Sequence, residues 1–462
     1  MPTALTNGHP CGKRFHKTTV AQIRAVPLPR PGLGLYNPPF MTSIILSIGD
    51  ELVLGQTVDT NSAWLSRQLA SVGCDILAHQ TVSDDQAAIE RAIRELAPRC
   101  DCLIVTGGLG PTEDDLTRQA VAGVLGVDCV LSELWLARLE EFFRARKRPM
   151  AANNRSQALI PRGADMIDNT CGTAPGLHIR LGQCDIYVTP GVPKEMMAMF
   201  TRDILPPIAA RSSGAVILSR TLHTFGMGES TVGEMLGKLM TRGRNPSVGT
   251  TVSGGVVSIR INARFPSLEI ARVELASTEK ACRDALYELV YGQDGESLPL
   301  VVSRLLKTQG KTVTSAESCT GGLLAGMLTE LPGSSVYFNQ GWVTYANSAK
   351  KLMLGVPANI LERDGAVSEP VVTVMAKGAR QRAKADFAVA ISGIAGPDGG
   401  SAEKPVGTVC IALAGADGTG AHTFNFSGDR DMIRDRACKM ALAMLRLRLL
   451  GLPWELGIPW PF

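Results

Sequence analysis

From Met41 onward, short apolar runs alternate with stretches in which apolar residues recur at helical spacing. Ser43 to Ile48 reads as a strand and Thr60 to Val72 as a helix. A strand near Ile76 to Thr81, a helix Asp84 to Leu96, the strand Cys102 to Thr106 and a helix Leu116 to Leu125 follow in the same order. A later strand, Ile186 to Thr189, ends in Pro190-Gly191-Val192-Pro193 and opens another helix. This βαβ alternation predicts a parallel, doubly wound sheet covered on both faces over residues 41–210. Residues 211–293 change character. They read as a strand Val216 to Phe225, a helix Glu229 to Met240, a hairpin Ser247 to Arg264 turning at Gly254-Gly255, and a long helix Glu269 to Tyr291, which together make a small α+β unit.

Alternation resumes over 294–450. The expected elements are a helix 298–308, a strand 312–316, a helix after Cys319, a strand Gly341 to Tyr345, a helix Glu369 to Lys384, a strand Phe387 to Ser392, two strands within 406–427 and a closing helix Asp431 to Leu449. No internal repeat relates the two α/β halves. Residues 1–40 hold seven prolines and neither periodicity, so a disordered extension is expected, with Met41 as the alternative beginning of the folded chain. Residues 451–462 read as an irregular tail.

A length of 462 residues gives a prior of about three domains, in line with the pattern. With 45% hydrophobic and 19% charged residues, disorder and coiled coil are excluded as the main state. No apolar stretch reaches the ~18 residues that span a bilayer, so no membrane partner is expected. The net charge of +4 sits in the first forty residues, where Lys13, Arg14, Lys17, Arg24 and Arg30 face no acid. The remaining chain holds no net positive field for a polyphosphate backbone, and no nucleic-acid partner is expected. The 11 cysteines are scattered without a C-x-x-C pair, which fits reduced thiols and a cytoplasmic location. The 6 histidines show no paired spacing, so a histidine-held metal is not expected.

One candidate site is the turn Thr106-Gly-Gly-Leu-Gly-Pro-Thr-Glu-Asp-Asp115. Gly107, Gly108 and Gly110 let backbone N–H groups approach an anion, while Glu113, Asp114 and Asp115 suit a divalent ion bridging phosphates. The alternative is a tight strand-to-helix turn whose acids complement the helix dipole. Asp50 and Glu51 follow the first strand and Asp59-Thr60-Asn61 caps the next helix, which brings further donors to carboxyl strand ends. The run Ile48 to Gly55, with Asp59 to Asn61, Thr106 to Asp115 and Thr189 to Glu195, resembles the molybdopterin-binding-type domain of the CinA family. That resemblance implies a molybdopterin-biosynthesis-like fold and, for some members, metal-dependent cleavage of ADP-ribose, with Asp50, Glu51, Asp59, Asn61, Gly107, Gly108, Gly110, Asp114 and Asp115 at the ligand or metal.

The second candidate is Thr314-Ser-Ala-Glu-Ser-Cys-Thr-Gly-Gly322, which sets Ser318 where a strand passes into a helix. Unpaired N–H groups of a first helical turn could hold an oxyanion there; the alternative is a plain N-cap by Ser318 or Thr320. Cys319 is the rival nucleophile. His422 is the one histidine of this half, so a lysine is the better base, and Tyr345 with Lys350 or Lys351 stands at the neighbouring strand end. Ser392 to Gly400 with Lys404 reads as a phosphate or ribose cradle, and Ser427 to Arg430 supplies a guanidinium fork.

Together with Gly341 to Tyr345 and Gly365 to Pro370, these motifs resemble the nicotinamide-nucleotide amidase domain of CinA proteins. The resemblance implies hydrolysis of nicotinamide mononucleotide without a cofactor, in a likeness that extends to a homodimer. By it Ser318 is nucleophile, Lys350 base and Tyr345 relay. N–H groups at Thr320 and Gly321 would hold the oxyanion, and Ser392, Gly393, Gly396 and Arg430 the nucleotide. A reading of a different class is a pterin- or nucleotide-binding interaction protein without turnover. The middle unit is similar to the family's KH-type connector but lacks a basic G-x-x-G loop, so no RNA role is expected.

Overall fold

The computed structural model describes residues 40–212 and 216–453. The expected extension falls outside the described residues apart from Phe40, as does the tail beyond Pro453.

The first sheet is six-stranded, in the order Asp75–Val82, Thr42–Ile48, Cys102–Thr106, Cys184–Thr189, Gly176–Leu181, Asp165–Ile167. The first four strands run parallel, Gly176–Leu181 runs against them, and Asp165–Ile167 pairs antiparallel with Gly176–Leu181. Alternating residues of the central strands point to opposite faces. Ile44, Leu46, Leu103, Val105, Ile186 and Val188 join one core, and Ile45, Ile104 and Tyr187 the other. Helices Gln86–Leu96 and Thr117–Leu125 cover the first face, and Thr60–Ser71 with Pro193–Met199 the second. Because the chain passes from Thr42–Ile48 to Asp75–Val82 on one side and then crosses to Cys102–Thr106 on the other, the carboxyl ends of Thr42–Ile48 and Cys102–Thr106 form a topological switch point, where α/β sheets bind ligands.

The middle unit is a four-stranded antiparallel sheet backed by helices Glu229–Leu236 and Leu268–Leu286. The long helix expected to reach Tyr291 stops at Leu286. Tyr287 turns to φ 47, and Val290–Gln293 becomes an edge strand beside Val216–Phe225.

The third sheet is five-stranded, in the order Gly341–Val343, Val313–Glu317, Phe387–Gly393, Thr408–Gly415, Gly418–Asn425. The first three are parallel, Thr408–Gly415 runs against them, and Gly418–Asn425 pairs antiparallel with Thr408–Gly415. Its two faces differ in bulk. Val313, Val389, Ile391, Val409, Ile411 and Leu413 meet the closing helix Arg430–Leu449, whereas Ala316, Ala388, Ala390, Cys410, Ala412 and Ala414 face helix Glu369–Ala383. Small residues allow the second helix a close approach, and Gly378 lies where a Cβ would sit 2.1 Å from Leu354 O. The same helix Arg430–Leu449 also grips the middle unit, since Lys439 donates to Gly254 O and Arg446 to Glu288 O and Val290 O.

Candidate functional site

Strand Val313–Glu317 is central and fully buried, so the residue that follows it emerges at the carboxyl edge between two parallel neighbours. That residue is Ser318. Its hydroxyl lies 3.0 Å from Lys350 Nζ, which also donates to Thr344 O at 2.9 Å and Tyr345 O at 3.0 Å. Lys350 sits in helix Asn347–Leu354 with 1% of its surface exposed, and no carboxylate among the described residues pairs with it. Burial lowers its pKa from the ordinary lysine value, opposed only by the nearby Cys319 thiol. Cys319 itself is buried and its thiol is pushed up to about 11, chiefly by desolvation, which leaves it protonated and a poor nucleophile near neutral pH.

Tyr345 contributes its carbonyl to Lys350 while its ring stays in solvent, 61% exposed. Its hydroxyl accepts from Arg430 Nη2 at 3.2 Å, and Arg430 Nη1 donates to Gly396 O at 2.6 Å. Tyrosine hydroxyl and guanidinium thus meet at the surface beside the Lys350 site, and the hydroxyl is not bonded to the amine it was expected to relay for. Ser392 is buried and donates to Ala366 O at 2.7 Å, so it ties loops together from beneath the surface. Gly393 is packed against Thr408 O and Val409, and Gly396 against Val406. Lys404, read as part of a phosphate cradle, donates instead to Asp364 O and Val367 O.

The turn after Ser318 departs from expectation in one respect. The helix begins at Leu323, with Gly322 as its cap, and its first N–H groups are taken by a side chain that was not singled out. Glu317, 0% exposed, accepts from Gly322 N and Leu324 N at 3.0 Å each and from Ala325 N at 2.8 Å. The Gly321 N–H is likewise engaged, donating to Ser318 O at 3.1 Å, and is not free for an oxyanion. A glutamate in a strand that otherwise reads Val-Thr-Ser-Ala was the available signal, since a buried carboxylate needs donors.

At the switch point of the first sheet lies a cleft of about 420 Å³ lined by Glu51, Asp84, Gly107, Gly108, Gly110, Asp114, Asp115 and Glu195 among others. Gly107, at φ +112, would place a Cβ 2.2 Å from Ile48 O, so only glycine lets the two strand ends close together. Asp50 and Asp84 exchange backbone bonds, Asp50 N to Asp84 Oδ2 at 2.8 Å and Asp84 N to Asp50 Oδ1 at 3.2 Å. Burial, followed by the charges of Asp50, Glu51 and Asp114, raises the Asp84 pKa against the N–H bond from Asp50.

Two of the expected metal ligands serve the loops. Asp115 accepts from Gly110 N at 2.7 Å and Thr112 N at 2.8 Å, and Asp59 caps helix Thr60–Ser71 while accepting from Ser47 and Ser62 hydroxyls. Asn61 donates to Gly191 O at 2.8 Å. Among the described residues, no three histidines, cysteines or carboxylates converge into a cluster able to hold a metal ion. Buried Arg118, which the sequence reading passed over, donates to Leu109 O at 2.6 Å and Gly110 O at 2.7 Å and fixes the glycine turn from behind.

Comparison with known proteins covers the same three units. The family description "CinA C-terminal domain" matches residues 295–449, "Probable molybdopterin binding domain" residues 44–210 and "Damage-inducible protein CinA KH domain" residues 219–292. A protein of Symbiobacterium thermophilum named for competence and damage induction is 45% identical over 423 residues, 89% of this chain and 99% of its own length. A CinA-like protein of Geobacter sulfurreducens is 43% identical over 406 residues, 88% of this chain and 98% of its own length. Among solved structures, the competence/damage inducible protein CihA of Agrobacterium tumefaciens is 45% identical, covering 34% of this chain and 97% of that one, with a TM-score of 0.32.

Proposed function

The chain belongs to the CinA family, and from that premise we propose that its C-terminal domain is a serine amidohydrolase converting nicotinamide mononucleotide and water to nicotinate mononucleotide and ammonia, a step of pyridine-nucleotide recycling. One observation carries the reading: a buried lysine without a carboxylate partner, its Nζ 3.0 Å from the hydroxyl at a strand end. A neutral amine has two N–H donors and one lone pair. Thr344 O and Tyr345 O take the donors, so the lone pair faces Ser318 Oγ. Ser318 then attacks the carboxamide carbon as its proton passes to Lys350. The resulting ammonium protonates the departing nitrogen, which leaves as ammonia from an ester on Ser318. A water molecule, deprotonated by Lys350, attacks that ester and releases the carboxylate, and the proton returns to Ser318 Oγ. Arg430 and Tyr345 beside the site orient the phosphate and ribose, which holds the amide at the nucleophile.

The test is ammonia release from nicotinamide mononucleotide by the purified protein. Turnover that survives Cys319→Ala but not Ser318→Ala supports the hydroxyl as nucleophile; the reverse pattern assigns the chemistry to the thiol. Binding of the nucleotide without ammonia release would make the domain a binding module.

A second reading concerns the cleft of the first sheet. Glu51, Asp84, Asp114 and Glu195 repel a bare pyrophosphate, so a nucleotide such as ADP-ribose is held there only with a divalent cation between. Among the described residues, the protein's own donors do not complete a cation site, and the substrate's oxygens would have to do so. ADP-ribose hydrolysis assayed with magnesium, manganese and cobalt checks this; no hydrolysis with any of them returns the glycine turn to a structural role.

A further inference from the structure

Most N–H groups around the nucleophile have an acceptor within the turn or the neighbouring strand. Ser318 N donates to Ile391 O at 2.9 Å, Gly321 N to Ser318 O at 3.1 Å and Leu323 N to Thr320 O at 3.1 Å. Gly322, Leu324 and Ala325 donate to the Glu317 carboxylate, and Gly326 donates to Gly322 O at 2.8 Å. In the run 318–326, among the described residues, the N–H groups of Cys319 and Thr320 are left with no acceptor beyond the Cys319 thiol. Buried N–H groups are rarely left unpaired without a reason, and both residues are buried, Cys319 at 6% and Thr320 at 0% exposure. They are also the two donors that directly follow the nucleophile. The turn that carries them is fixed at its far end as well, since the Thr320 carbonyl accepts from Arg434 Nη2 at 3.0 Å.

Resting on the amidase reading above, we infer that Glu317 is a positioning residue that saturates the first turn of helix Leu323–Thr329 and so reserves the N–H groups of Cys319 and Thr320 as the oxyanion donors. When the Ser318 Oγ–carbon bond forms, the carbonyl π pair moves onto oxygen, and these two donors receive the developing charge. When the π bond re-forms, the protonated nitrogen departs with the C–N pair as ammonia. The Glu317 carboxylate keeps the neighbouring helix N–H groups from drawing that oxygen to a second position, out of line with Lys350. Its own charge is met by three N–H groups at the positive end of the helix and needs no cation.

The experiment compares the full chain with Glu317→Gln and Cys319→Pro. An amide at 317 has one acceptor oxygen in place of two and adds donors facing donors. Proline at 319 deletes one of the two N–H groups at the second position of a turn, where its φ is tolerated. Each variant should lose kcat on the order of a hundred- to a thousandfold, with the KM for nicotinamide mononucleotide within about threefold of the full chain's. A kcat within threefold of the unmutated value in either folded variant overturns the inference. A loss carried mainly by KM does so too, because it marks a binding role.

Residue-resolved amide exchange on the unmutated protein needs no variant to fold. Adding nicotinate mononucleotide, whose carboxylate mimics the oxyanion, should slow exchange at Cys319 and Thr320. Protection that appears instead at Gly321, Gly322 or Leu324, or at none of them, overturns the assignment. If the unmutated protein releases no ammonia at all, it is the amidase reading that fails.

Discussion

The two α/β domains build their sites from the same parts and use charge in opposite ways. In both, a buried parallel strand ends in a glycine-bearing turn that leads to a helix, Thr106 to Thr117 in the first sheet and Glu317 to Leu323 in the third. The third-sheet site keeps its ionisable groups inside. Lys350 is buried against carbonyls and a hydroxyl, and Glu317 is buried against N–H groups. The first-sheet cleft exposes its carboxylates together, and there the groups with the best geometry, Asp59 and Asp115, are spent on closing loops. A site that shifts a proton needs a desolvated base, which the chain can fix in place unaided. On the proposed reading, the first-sheet site would receive phosphates through a cation and be completed only when its ligands arrive.

The largest expected effect cuts between the two. Ser318→Ala and Lys350→Arg should each reduce amidase turnover on the order of a thousandfold or more, since arginine keeps the charge but does not release its proton. Any metal-dependent ADP-ribose hydrolysis by the same samples should be unchanged, because its cleft belongs to another sheet. Loss of both activities in a folded variant would break the separation.

Next in size is the pH response. Burial lowers the Lys350 pKa, so the neutral amine accumulates as pH rises through that lowered value. Below it, kcat should climb about tenfold per pH unit and then level off. A rate that is flat, or falls with rising pH over the same range, removes lysine as the base.

Much of this contrast could be read from the chain, and the misses have physical causes. The strands Cys102–Thr106 and Val216–Phe225 fall at the expected bounds, because both are rich in β-formers and each is stopped by glycine. That a lysine at Lys350 or Lys351 meets Ser318 follows from two strand ends in one parallel sheet; that it is Lys350 is implied by the family resemblance, and the two side chains do meet. Which groups engage the Lys350 amine was not visible, because Thr344 and Tyr345 use their carbonyls, and a carbonyl carries no residue signature. The helix after Cys319 starts only at Leu323 because the turn runs on to its cap, Gly322, while the N–H groups of its first turn are taken by the Glu317 side chain of the preceding strand. Asp165–Ile167 and Leu159–Pro161 passed unseen, being three residues each and too short to show a period. Asp115 looked like a ligand since sequence does not distinguish an acid facing a cation from one facing the N–H groups of its own turn.

That last case gives a prediction of intermediate size. Asp115→Ala removes the acceptor of Gly110 N and Thr112 N and takes away a carboxylate charge that favours the buried Arg118 guanidinium. The N-terminal domain should lose about 1–3 kcal/mol of stability, seen as an earlier thermal transition, while amidase kinetics stay unchanged. If instead stability holds and cation-dependent hydrolysis alone disappears, Asp115 is a ligand after all.

The smallest effect tests whether the first-sheet acids are kept close at a cost. Asp84 has its pKa raised by burial and by the charges of Asp50, Glu51 and Asp114. A carboxyl whose folded pKa lies above its unfolded value favours folding below the unfolded pKa, and that contribution is lost as pH rises through the raised value. At pH 7 the ionised Asp84 therefore opposes folding. Asp84→Asn keeps a carbonyl oxygen for the Asp50 N–H and drops the charge, so it should raise stability by about 0.5 kcal/mol or less at low salt. The gain should vanish near pH 3, where the acids are protonated, and shrink in 1 M salt, where the Debye length falls to about 3 Å. Saturating divalent cation should reverse the ranking, stabilising the unmutated protein more than the variant, as binding to the folded state alone requires. Equal stabilisation of both proteins by the cation would place its site away from Asp84 and leave the repulsion in this cleft without a ligand to relieve it.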